Sequence, residues 1–253
     1  MTYARLNTLR NWLKALEASW QLDLDSLVPA SADASFRRYF RITSKNPNFG
    51  TLIVMDAPPQ HEPLDAFIKV DLLLSEAGLN VPKILEQNIA EGFLLLNDLG
   101  TKTYLAELNN ETADHLYKDA THALVLMQLA SKPGVLPNYD QALLQRELDL
   151  LPEWYLKKHL SIELSAQQID QLKKSFELII ENNLSQAKVY VHRDYHSRNL
   201  MVTEKNNPGV IDFQDAVYGP ITYDAASLWR DAYIAWPEER VIDWVIKFWE
   251  AGR

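Results

Sequence analysis

The 253-residue sequence carries 34 acidic against 25 basic side chains, a formal charge of −9, and no cysteine. This excludes disulfides, thiolate metal sites and a cysteine nucleophile, and it argues against a phosphate-backbone binder, which needs a basic face. A nucleotide ligand stays compatible with the charge, because a metal ion can bridge carboxylates to phosphates. Hydrophobic content of 47% and charged content of 23% suit a soluble globular protein of one large domain or two small lobes. There is no apolar run of about 18 residues or more, so no membrane span is expected.

Leu6, Leu9, Trp12, Leu13, Leu16 and Trp20 recur at helical spacing, with Arg5, Arg10, Lys14 and Glu17 between them. That predicts an amphipathic helix and not a signal peptide, which points to the cytoplasm. Leu27 to Ala30 reads as a short strand, and residues 30–35 as a tight turn of small side chains. Phe36 to Thr43 and Thr51 to Met55 read as strands, the latter stopped by Pro58 and Pro59. Leu64 to Ala77 returns to helical spacing, with Gly78 as its cap. Val81 to Leu85 and Gly92 to Leu96 read as two more strands. After residue 98 long helical patterns take over: Ala113 to Leu129, Tyr139 to Leu150 and Ser165 to Asn182, the last opened by a Ser165/Gln168 capping box. Tyr223 to Ala235 and Glu238 to Trp249 close the chain as helices. The expected fold class is α+β, with a small antiparallel-sheet N-lobe over residues 1–98, a hinge near 96–100 and a larger helical C-lobe over 99–253.

Between the last helical patterns lies the stretch that carries chemistry. Two short apolar runs flank His192-Arg193-Asp194-Tyr195-His196-Ser197-Arg198-Asn199, and a second apolar run ends in Ile211-Asp212-Phe213. Phosphoryl transfer needs a proton acceptor at the attacking hydroxyl, ligands for Mg²⁺, and cations or N–H groups on the phosphates. Asp194 fits the first role. Asn199 and Asp212 fit the second, one neutral and one anionic hard oxygen, suited to Mg²⁺ and not to zinc. His192 is expected to orient the loop. Taken singly each acid or amide reads as a turn or cap residue; their order between two apolar strands makes them a site.

The motif His192-x-Asp194-x-x-x-x-Asn199, with Ile211-Asp212-Phe213, Gly219-Pro220 and Tyr223-Asp224-Ala225-Ala226-Ser227-Leu228, resembles the aminoglycoside phosphotransferase and choline kinase superfamily, which has a protein-kinase-like two-lobe fold. The resemblance runs from about residue 26 to the end. It implies that Asp194 is the catalytic base and that Asn199 and Asp212 bind Mg²⁺, with ATP as donor. It makes Asp224 a helix N-cap or a brace for the catalytic loop. Residues 34–41, 54–59 and 92–100 are similar to one subgroup, bacterial anomeric kinases of N-acetylmuramate and N-acetylglucosamine used in cell-wall recycling. That likeness implies phosphorylation of the anomeric hydroxyl of an amino sugar. The alternatives are a kinase of an aminoglycoside or choline-type hydroxyl, and a nucleotide-binding pseudokinase without activity. Nothing in the sequence suggests nucleic-acid or membrane partners. Family members usually continue with further C-terminal helices, so a shortened chain is expected.

The sequence departs from protein kinases on the phosphate side. Residues 51–55 hold no Lys, and Met55 stands near its place. Alternation puts Arg38 on one face with Phe36, Phe40 and Ile42, where a cation is costly without an anion, so Arg38 is favoured as the phosphate contact over Arg37 and Arg41. The glycine-rich loop is replaced by residues 32–35, whose backbone near Ser35 is expected to approach phosphate. Backbone groups of Leu95, Leu96, Asn97 and Asp98 are expected at the adenine edge, and Asp215, Tyr218, Trp229 and Arg230 on the sugar side.

Overall fold

The computed structural model describes residues 3–31 and 36–252. It divides into two compact units, the first formed by Met1–Ala120 with Arg198–Gln214, the second by Thr121–Ser197 with Asp215–Arg253. Among the described residues no helix is long and apolar enough to cross a membrane.

The first unit opens with α1 (Tyr3–Trp20) and a five-stranded antiparallel sheet of β1 (Leu22–Ser31), β2 (Arg38–Ser44), β3 (Thr51–Asp56), β4 (Ile84–Asn88) and β5 (Phe93–Asn97), in the order β1-β2-β3-β5-β4. Register puts Ile42 opposite Leu52, and Val54 opposite both Phe40 and Leu95. One sheet face therefore presents a continuous apolar surface, and Leu9 and Leu13 of α1 pack on it with no exposure. Helix α2 (Leu64–Glu76) sits between β3 and β4 in sequence, and Gly78 closes it at φ +89°, a conformation that suits glycine. Gly92 turns β4 into β5 at φ +73°, where a Cβ would lie 1.9 Å from the Ala57 carbonyl oxygen.

Two strands begin three or more residues away from their expected starts. β1 begins five residues earlier than expected and runs with bulges along β2; as an edge strand it tolerates Pro29. β4 starts at Ile84 and not Val81, because Pro82 has no N–H for the ladder.

Short α3 (Tyr104–Glu107) precedes α4 (Ala113–Leu129). The second unit adds α5 (Gln141–Leu148), a π-helical segment (Leu151–His159) and α6 (Ala166–Ser185), whose Ser165/Gln168 capping box forms in full. Strand β6 (Lys188–Val191) leads into the His192–Asn199 loop, and β7 (Leu200–Met201) leaves it. Strand β8 (Gly209–Val210) leads into the Asp212 segment, and β9 (Val217–Pro220) leaves it. β6 pairs with β9 in the second unit and β7 with β8 in the first. The chain closes with α7 (Tyr223–Trp229) and α8 (Glu238–Ala251). α7 stops six residues short of the expected Ala235. Asp231 leaves the helix to accept the Tyr233 N–H at 2.9 Å, a local turn that competes with helix.

Candidate active site

In the second unit, β6 delivers His192 into the core and Asp194 to the surface: the imidazole is fully buried, while the Asp194 side chain is exposed. Two backbone donors at the head of the loop converge on one carboxylate. His192 N donates to Asp224 Oδ2 at 2.7 Å and Arg193 N to Asp224 Oδ1 at 3.0 Å. Asp224 is the loop brace, since no side-chain cap is made at the start of α7. Burial pushes the Asp224 carboxyl up to about 7 and Asp194 adds to this, while the two N–H groups pull the other way. At the loop's far end Ser197 N donates to Asp231 Oδ2 at 2.9 Å. The His192 ring meets Tyr195 edge-on, with centroids 5.7 Å apart.

Arg193 sits at φ +79°, a strained position for a residue with a side chain, and it is held at both ends. Its backbone is tied to Asp224, and its guanidinium pairs with Glu147 of α5. Glu147 also accepts from the Tyr139 phenol and, at 3.1 Å, from Tyr223. Burial raises the Tyr223 phenol to about 12, and raises Tyr139 further with Glu147's help. Gly219 makes this cluster possible, because a Cβ there would stand 2.6 Å from Tyr139 Cβ. No motif flags Glu147 or Asp231; the acids are found only once the chain has folded.

In the first unit, Asn199 and Asp212 come together, with Asn199 Nδ2 3.4 Å from Asp212 Oδ2. Ile211 N donates to Asn199 O at 3.1 Å, so the two segments are tied by backbone as well. Asp212 adopts φ +65°, and Gln214 Nε2 holds its other oxygen at 2.9 Å. Behind it Phe213 is fully buried and packs on Phe67 of α2 at 4.9 Å. Turning the Asn199 amide over presents Oδ1 to the same point, so the pair offers one neutral and one anionic oxygen, a donor set that fits Mg²⁺. Among the described residues no group of three or more His, Cys, Asp or Glu is placed to share a metal.

The anion expected near Arg38 comes from within the unit. Its guanidinium pairs with Asp56 directly across the ladder, and Arg5 of α1 donates to the same carboxylate at 2.8 Å. Asp56 is fully buried, so two cations share one carboxylate, and Arg38 Nη1 is left buried without a hydrogen-bond partner. Arg41 pairs with Asp98 at 2.5 Å. Burial pushes the Asp98 carboxyl up, but Arg41, the Gly100 N–H and Thr51 outweigh it and leave it below the usual range. Leu95 and Leu96 lie inside the sheet between β3 and β4, while Asn97 and Asp98 stand at the strand's end. Ser35 lies outside the described residues. Of the expected sugar-side residues, Trp229 is buried against Phe248, and Arg230 pairs with Glu238 on the surface.

A model of the phosphotransferase enzyme family matches residues 26–253. The N-acetylmuramate/N-acetylglucosamine kinase of Pseudomonas aeruginosa is 46% identical over 254 residues, covering 98% of this chain and 74% of that protein. The protein of the same name from Neisseria meningitidis serogroup B is 43% identical, covering 97% of this chain and 72% of the relative. Among solved structures, ADP-bound aminoglycoside phosphotransferase APH(2'')-Ib gives a TM-score of 0.64 at 15% identity, covering 95% of this chain and 84% of that one. The aminoglycoside-3'-phosphotransferase of type VIII gives the same score at 14% identity, covering 94% and 91%. At these identities the structures speak for the fold alone, which is α+β and protein-kinase-like. With the family model over nine-tenths of its length and relatives above 40% identity, the chain belongs to the phosphotransferase enzyme family.

Proposed function

We propose that this chain transfers the γ-phosphoryl group of ATP, with Mg²⁺, to the anomeric hydroxyl of N-acetylmuramate or N-acetylglucosamine. The observation that carries the reading is the 46% identity, over nearly the whole chain, to a kinase named for those two sugars. Asp194 accepts the proton as the anomeric oxygen bonds to phosphorus and the bond to the β-phosphate oxygen breaks, releasing ADP. Its exposure on a loop pinned by Asp224 and Asp231 supports that role. His192 orients the loop from the core. Asn199 and Asp212 hold Mg²⁺, which supplies charge neutralisation at the phosphates. Arg38 is the cation for the phosphates, supported by its buried orphan Nη1 and by its sharing of Asp56 with Arg5. The base of the nucleotide lies against residues 95–98, at the end of β5, where Asp98 follows the last paired residue Asn97. The division into lobes at residues 98 and 99 belongs to the same reading.

The test is ADP release with ATP and Mg²⁺ against N-acetylmuramate, N-acetylglucosamine, an aminoglycoside and choline. Turnover of the amino sugars to an acid-labile phosphate is expected, since an anomeric phosphate hydrolyses far more readily than an ordinary alkyl phosphate. An acid-stable product, or turnover with the aminoglycoside or choline alone, overturns the assignment. ATP binding without ADP release from any acceptor makes the chain a pseudokinase.

A further inference from the structure

Within the second unit a cavity of about 390 Å³ opens beside Asp194, lined by Arg146, Glu147, Leu150, Arg193, Asp194 and Tyr223. Its size suits a monosaccharide. Two of its four charged groups are already committed to each other. Arg193 pairs with Glu147, and the remaining Glu147 oxygen takes the phenols of Tyr139 and Tyr223. Arg146 is different. It stands exposed in the last turn of α5, and its side chain makes no hydrogen bond or ion pair among the described residues. The lining thus presents an uncommitted guanidinium in the same cavity as the carboxylate proposed to take the acceptor's proton.

An acceptor that brings its hydroxyl to Asp194 and carries an anion of its own matches this arrangement. The two sugars in the relatives' name differ in that respect. N-acetylmuramate carries a lactyl carboxylate on O3, two ring carbons from the anomeric centre, and N-acetylglucosamine has a plain hydroxyl there. Resting on the amino-sugar reading above, we propose that Arg146 receives the lactyl carboxylate and sets a preference for N-acetylmuramate over N-acetylglucosamine. A guanidinium offers that carboxylate two parallel N–H donors, a geometry that a lysine cannot reproduce. Leu150, exposed at the same cavity, gives the sugar an apolar neighbour.

The experiment is kcat/KM for each sugar with ATP and Mg²⁺, in the wild-type chain and in Arg146→Ala, Arg146→Lys and Arg146→Glu. The readout is the ratio of the two constants, N-acetylmuramate over N-acetylglucosamine. Arg146→Ala lowers that ratio about tenfold, Arg146→Glu lowers it further, and Arg146→Lys recovers part of it. A merely structural role moves both sugars together and leaves the ratio in place. A ratio unmoved in Arg146→Ala, with both sugars still turned over, overturns this proposal alone. Wild-type protein that phosphorylates neither sugar overturns the functional reading and the proposal with it.

Discussion

Each unit buries an aspartate beside its candidate site residues, and the two are satisfied by opposite means. Asp224 in the second unit takes two backbone N–H groups from the head of the His192–Asn199 loop. Asp56 in the first takes two guanidiniums from α1 and β2. Backbone donors are fixed once the chain is folded, so Asp224 sets the position of the loop. Guanidiniums sit on long side chains, so Asp56 gathers charge with less constraint on geometry. The difference matches the roles proposed for each. A proton acceptor must be held within a few tenths of an ångström of its target, whereas phosphate oxygens are served by guanidinium donors nearby.

The largest effect is expected at the residue proposed to take the acceptor's proton. Asp194→Ala should lower kcat by about 10³-fold or more, with the nucleotide Kd changed little. Single-turnover assays and nucleotide titration separate the two quantities. Retained turnover removes Asp194 from the mechanism.

Next comes the brace. Asp224→Asn keeps one acceptor oxygen but turns an amide NH₂ toward a backbone N–H, leaving that buried donor unpaired. The expected cost is about 2–3 kcal/mol of stability, with a fall in kcat of about a hundredfold for the protein that remains folded. Urea unfolding and initial rates at saturating ATP measure both. A variant that loses stability but keeps kcat makes Asp224 a packing residue and breaks the contrast with Asp56.

A third aspartate shows what happens without either kind of partner. Asp71 on α2 is 7% exposed, and its Oδ1 has no hydrogen-bond partner. Burial raises its carboxyl to about 7. The folded protein therefore holds this proton through a window, from near pH 4 to about 7, in which the unfolded chain has lost it. Stability falls as pH rises through that window and levels off above it. Asp71→Asn stays neutral throughout, so its gain over the wild type should be greater at pH 8 than at pH 5, by about 2 kcal/mol. Urea titrations at the two pH values test this, and equal gains would show that Asp71 does not titrate there.

What the sequence revealed follows from how far apart the partners lie. Asp194, Asn199 and Asp212 lie in loops between short apolar strands at motif spacing, so their order alone marked them, and the folded chain does bring Asn199 against Asp212. Asp224 was marked too, but only the fold separates a brace from a helix cap. The supports lie further away: Arg5 is 51 residues from Asp56, Arg193 is 46 from Glu147, and Ser197 is 34 from Asp231. No local pattern encodes such pairs. The segment Leu151–His159 was likewise silent, since a π-helix closes on the fifth residue, as Leu160 N does on Tyr155 O, and leaves no 3.6-residue period to read.

The smallest effect is expected at Arg38, and it decides what the Asp56 cluster is for. A cation on an apolar face needs an anion, and the fold supplies Asp56; that pair alone would explain the residue. Yet Arg5 shares the same carboxylate, and Arg38 Nη1 is buried with no hydrogen-bond partner. A phosphate oxygen would satisfy that donor. Arg38→Ala should then raise the KM for ATP about tenfold, with kcat affected less because the loop around Asp224 is untouched. Arg38→Lys keeps the charge but loses the fork, and should fall between. Removing a counter-ion alone gives a different signature: Asp56 keeps Arg5, stability drops, and the KM for ATP stays where it was. That result would take Arg38 out of the nucleotide site and make the Asp56 cluster a structural clip between α1, β2 and β3.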